Sequence, residues 1–169
     1  DFDGCCLRAP WIMEKDDFKY SLSFGDDVFG GPIWKDLVSP EEATSYAETQ
    51  TVPVMLDPDG EPVRRNFVHV EDLISAILLA MENPKARQQL FNVCMDEPVH
   101  YRKVAEHLYE TQDLPSVDVP TPYHSSWLDN DKAKFLLDWE PKYDLKRLID
   151  EAWNYKRSPD EPRKIWYPG

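Results

Sequence analysis

A short strand running without a break into an amphipathic helix is the feature that most constrains this chain. Arg65 to His69 has strand character after the turn Asp57-Pro58-Asp59-Gly60. Val70, Leu73, Ile74, Ile77, Leu78 and Met81 then follow at helical spacing and form one apolar stripe. Glu71 and Asp72 favour the helix start through its dipole, and Asn83-Pro84 ends it. Such a stripe predicts a helix laid on a sheet, and so an α/β chain.

The flanking segments agree with that class. Gly4 to Ala9 reads as a short buried strand stopped by Pro10, and Pro53-Val54-Met55-Leu56 as another. Ser39-Pro40-Glu41-Glu42 carries a capping serine, a first-turn proline and early acids, which predict a helix to about Gln50. Leu90 to Cys94 reads as a buried strand, and Tyr101, Val104, Ala105 and Leu108 as a helix stripe. Asp129 and Asp144 are candidate caps for two further helices, carrying Ala133, Leu136 and Leu137, and Leu145, Leu148, Ile149, Ala152 and Trp153. Trp11 to Pro40 reads as irregular, and Ser158 to Gly169 as an extended surface tail. These strands are few and far apart, too few for a self-sufficient sheet. Gly4–Ala9 and Leu90–Cys94 read as orphan strands with exposed edges.

Acidic residues outnumber basic ones by 32 to 19, for a net charge of −13. Most of such a surface repels a phosphate backbone, so nucleic acid is not an expected partner. No apolar run approaches the ~20 residues needed to cross a bilayer, and Asp1 to Arg8 lacks the pattern of a signal peptide. A soluble, cytoplasmic protein is expected. His69, His100, His107 and His124 have no metal-ligand spacing among themselves or with Cys5, Cys6 and Cys94, so no metal is expected. The cysteines read as buried, reduced thiols.

Five blocks in order carry a resemblance. They are Leu7-Arg8-Ala9-Pro10, Gly60 with Arg65-Asn66-Phe67-Val68-His69-Val70-Glu71-Asp72, and Phe91-Asn92-Val93, then Asp131-Lys132-Ala133 and Leu137-Asp138-Trp139-Glu140-Pro141. Together they are similar to the C-terminal part of an extended short-chain dehydrogenase/reductase, of the NAD-dependent epimerase/dehydratase family. The fold this implies is a set of late Rossmann strands plus a small mixed α/β substrate-binding lobe over residues 1–157, followed by the 158–169 tail. The family's R-D-F block reads Arg65-Asn66-Phe67 here.

The resemblance also implies a role for particular residues. Ala9 and Pro10 match positions that contact the nicotinamide of NAD or NADP, and Arg65 matches one that grips a nucleotide-sugar phosphate. A fixed guanidinium suits bidentate capture of phosphate or carboxylate; the competing reading of Arg65 is an ion pair with Asp57 or Asp59. Trp11 stands where many relatives have an Asn on the diphosphate, and no Lys or Arg occurs from Val104 to Asp131. A smaller carboxylate-bearing or neutral polyol ligand is therefore expected, with Trp11, Tyr123, His124 and Trp127 lining its pocket; core packing is the alternative for these aromatics. His69 reads as a hydrogen-bonded core histidine and Asp72 as a helix-start acid.

The six glycines include no dinucleotide fingerprint, and no tyrosine has a lysine four residues on. Both motifs are expected upstream of Asp1. The sequence thus predicts the substrate-binding portion of an NAD(P)-dependent sugar-type oxidoreductase or epimerase. Alone it would bind no cofactor and perform no catalysis; its partners would be a sugar-like small molecule and the missing N-terminal cofactor-binding half of a homodimeric parent. Alternatives are a fragment of a nucleotide-sugar 4-epimerase or dehydratase, and a non-catalytic binding module derived from the family.

Overall fold

A computed structural model of the chain describes residues 4–161. Its strands are β1 (Cys6–Arg8), β2 (Trp11–Met13), β3 (Val52–Leu56), β4 (Arg64–Arg65), β5 (Phe67–His69), β6 (Leu90–Asn92), β7 (Val99–His100) and β8 (Ser116–Pro120). Its helices are α1 (Asp17–Tyr20), α2 (Pro40–Glu48), α3 (Val70–Glu82), α4 (Tyr101–Gln112), α5 (Asp131–Leu137) and α6 (Leu145–Asn154). They fall into two compact units interleaved along the chain. Among the described residues, one gathers 4–14, Arg64–Val99 and Ser126–Leu148; the other gathers Lys15–Val63, His100–Ser125 and 149–161.

In the first unit two strand pairs run parallel. Leu7 of β1 lies opposite Phe91 of β6, and Ile12 of β2 opposite Val68 of β5. The strands read as orphans therefore pair with each other. β2 was hidden in the stretch read as irregular, because three residues after a proline carry too little periodicity to register. The core of this unit joins Val68, Ala76, Ala80, Phe91, Val93, Ala133, Leu137 and Trp139, with Leu7, Ala9 and Leu73 packed against it.

α3 forms where its stripe predicted, capped by His69, whose Nδ1 accepts the Glu71 N–H at 3.3 Å. Its buried face, however, is Asp72, Ala76 and Ala80. Ile74, Ile77, Leu78 and Met81 are exposed, Met81 by 78%. The alanines let the helix sit close on the core, and the large apolar residues face outward. His69 is the expected core histidine, stacked on Tyr143 with ring centroids 3.6 Å apart. Asp72 does more than start a helix: its buried carboxylate accepts the N–H groups of Lys142 and Tyr143 at 2.9 and 3.0 Å.

In the second unit β3 runs parallel to β8, Val54 opposite Asp118. β8 escaped the sequence reading. α2 starts as expected: Ser39 Oγ accepts the Glu42 N–H while the Glu42 carboxylate takes the Ser39 N–H, a reciprocal cap. Gly60 holds φ +83° in the turn after β3, where Asp57 accepts the N–H groups of Asp59 and Glu61. Trp34, fully buried, donates its indole N–H to the Ser21 carbonyl at 2.7 Å.

Two expectations need correction. Cys94 alone is fully buried; Cys5, just before β1, is half-buried, and Cys6, its first residue, is exposed. Of the tail read as extended, residues 158–161 form a turn. The Glu161 N–H donates to the Ser158 carbonyl at 3.0 Å, and the Glu161 carboxylate takes the Lys15 ammonium and the Tyr155 hydroxyl. Residues 162–169 of that tail lie outside the described residues.

Candidate functional site

Pro10, Trp11, Arg65 and Trp127, four of the residues singled out from sequence, line one cavity of about 270 Å³ in the first unit, with Asn66, Ser126 and Leu128. Trp11 opens β2 and meets the Phe67 ring edge-on at 5.8 Å. The Arg65 guanidinium carbon lies 5.4 Å from the centre of the Trp11 ring, a cation–π arrangement. Trp127 is 62% exposed, which excludes core packing as its role.

Three asparagines and a thiol hold the segment that carries Trp127. The Ser126 N–H donates to the Arg64 carbonyl at 3.0 Å, and the Leu128 N–H donates to Asn66 Oδ1, so the backbone is pinned on both sides of the tryptophan. Asn92 Nδ2 donates to the Asp129 carbonyl at 2.6 Å, and Asn130 Nδ2 to the Cys94 carbonyl at 2.9 Å. Cys94 Sγ donates to the Leu128 carbonyl at 3.4 Å. Burial, then the charges of Asp96 and Asp129, push its pKa up to about 11, so it remains a neutral donor.

The other candidates lie elsewhere. Ala9 packs against the core. Tyr123 and His124 belong to the second unit, exposed just past the end of β8. A cavity of about 280 Å³ in that unit, walled by Phe24, Tyr46 and Trp153, includes none of the candidate binding residues read from sequence. The sequence reading missed Asn66, Ser126 and Leu128; the one visible signal was an asparagine at the aspartate position of the R-D-F block.

Known proteins resemble parts of this chain. Residues 39–94 match the family model described as NAD dependent epimerase/dehydratase family. The UDP-D-apiose/UDP-D-xylose synthase of Oryza sativa subsp. japonica is 32% identical over 118 residues, 58% of this chain and 30% of that protein. The UDP-glucose 4-epimerase of Corynebacterium glutamicum is 29% identical over 105 residues, 58% of this chain and 32% of that protein. A crystal structure of a short-chain dehydrogenase/reductase superfamily protein from Agrobacterium tumefaciens with bound NAD superposes with a TM-score of 0.67 at 22% identity, over 89% of this chain and 49% of that one. The chain thus spans about a third of these curated relatives and half of that structure. The match to the family model is confined to residues 39–94, and the chain has an α/β fold similar to that of the NAD-bound structure.

That family implies NAD, whose pyrophosphate needs a glycine-rich turn between a strand and a helix. β5 passes directly into α3 and β7 directly into α4, and no strand-to-helix junction among the described residues contains a glycine. These residues do not fit the cofactor's pyrophosphate, and no chemical step is derived through it. No helix among the described residues is long and apolar enough to cross a membrane.

Proposed function

We propose that this chain is the substrate-binding portion of a cytoplasmic, homodimeric NAD(P)-dependent sugar-type oxidoreductase or epimerase. In this reading residues 1–157 form the substrate-binding part, and the glycine-rich loop and Tyr-x-x-x-Lys pair lie upstream. The chain alone is then not catalytic. The observation that carries the reading is the cavity where Trp11, Arg65 and Trp127 meet, in a chain with the fold of an NAD-bound relative. The outward apolar face of α3, with Ile74, Leu78 and Met81 half or more exposed, supports a covering partner, the cofactor-binding half. Ala9 and Pro10 are its nicotinamide contacts, and Trp11, Arg65 and Trp127 its substrate contacts.

A cavity of this size, with Arg65 the one charged residue lining it among the described residues, favours a small carboxylate-bearing or polyol ligand. A nucleotide sugar is the second reading, favoured by the UDP-sugar names of the relatives. Steady-state kinetics of the enzyme extended upstream, with and without Arg65→Ala, test both. The first reading expects KM for a sugar acid to rise at least tenfold with kcat little changed; a strong rise for a UDP-sugar instead supports the second. No change for either class removes Arg65 from the site.

A further inference from the structure

The cavity of about 280 Å³ in the second unit shares no lining residue with the one beside Arg65, and the substrate reading gives it no role. Leu22, Phe24, Tyr46 and Trp153 make its apolar wall, the Phe24 and Tyr46 rings tilted against each other at 5.0 Å. Two opposite charges, Lys19 and Asp27, line the same space. The Lys19 ammonium lies 5.8 Å from the centre of the Trp153 ring. Among the described residues it makes no ion pair or hydrogen bond, although acids outnumber bases 32 to 19 in the chain. Asp27 is held in place by its own loop. Ser23 Oγ accepts the Gly25 N–H at 3.0 Å and donates to Asp27 Oδ1 at 3.0 Å. A Cβ on Gly25 would stand 2.9 Å from that oxygen, so glycine is what lets the loop hold the carboxylate there. Gln50, also in the wall, keeps φ +50° just past α2, where glycine costs less. A side chain retained against the backbone's preference points to a use for that side chain.

We propose that this cavity binds a free α-amino acid with a large apolar side chain. The ligand's carboxylate meets Lys19, its ammonium meets Asp27, and its side chain lies against the aromatic wall. Lys19 and Asp27 do not pair with each other, so a bound zwitterion gives each its counter-charge. A carboxylate alone would be drawn to Lys19 and repelled by Asp27, and an amine alone the reverse. An uncharged polyol would neutralise neither. The volume is close to the ~300 Å³ at the small end of ligand sites, which suits one amino acid rather than a peptide. This site stands apart from the substrate reading of the Arg65 cavity and does not depend on it.

Nuclear magnetic resonance of the ¹⁵N-labelled chain tests this through the Trp153 indole signal, assigned by its loss in Trp153→Phe. The probes are L-phenylalanine, phenylpropionate, which lacks the ammonium, phenethylamine, which lacks the carboxylate, and glucose. L-Phenylalanine should move the signal saturably, with each singly charged probe at least tenfold weaker and glucose without effect. Lys19→Gln should bring phenylalanine down to the level of phenethylamine, and Asp27→Asn to that of phenylpropionate, with peak dispersion kept. Where a variant loses dispersion, the probe series on the parent chain decides. Either singly charged probe binding as tightly as phenylalanine would overturn the zwitterion assignment. Glucose moving the signal where phenylalanine does not would overturn the amino-acid class. If no probe moves the signal, or neither folded variant weakens phenylalanine, the proposed site is wrong.

Discussion

Asp72 shows how far one buried carboxylate reaches. It is 1% exposed, accepts the N–H groups of Lys142 and Tyr143, and its backbone carbonyl accepts the Trp139 indole N–H at 3.1 Å. Asp72→Ala strands those N–H groups, and urea unfolding should show a loss of about 2–4 kcal/mol. Unchanged stability would contradict the tether. Cys94 works through its proton instead. Its folded pKa is raised from 9.0 to about 11, so the neutral thiol is the form the fold favours. That contribution is fully present below about pH 9 and lost as pH rises through about 11. Urea midpoints measured across this window should fall less steeply in Cys94→Ala than in the parent chain. The motif made Pro10, Trp11 and Arg65 legible in sequence. Asn66, Asn92 and Asn130 were not, because an asparagine that pins a distant loop carries no local pattern.

At the scale of elements, periodicity located α3 and α4 and capping chemistry located α2, because each signal is local. What periodicity left open was the direction α3 faces. Its large apolar stripe and its small Ala76–Ala80 face are both capable of packing, and only the fold decides that the alanines go inward. The stripe is therefore exposed in this chain. Leu78→Gln with Met81→Gln should change stability by no more than about 0.5 kcal/mol and reduce self-association in sedimentation experiments. A large loss of stability would mean that the stripe is packed within this chain. β2 and β8 went unread for another reason: strands of three and five residues form here by parallel pairing with distant segments, Phe67–His69 and Val52–Leu56, rather than by a pattern of their own.

At the scale of the molecule, the chain carries a superfamily fold over 89% of its length while spanning 49% of an NAD-bound relative. The gathering of Trp11, Arg65 and Trp127 was only partly legible, since Tyr123 and His124, grouped with them by sequence position, fall in the other compact unit. The proposed function is a division of labour, with ligand recognition assigned to this chain and cofactor binding to residues upstream of it. Fluorescence titration of NADH tests it most directly, run on the 169-residue chain and on the chain extended upstream. Saturable binding by the extended protein alone is the expected result; tight binding by the 169-residue chain would contradict the account.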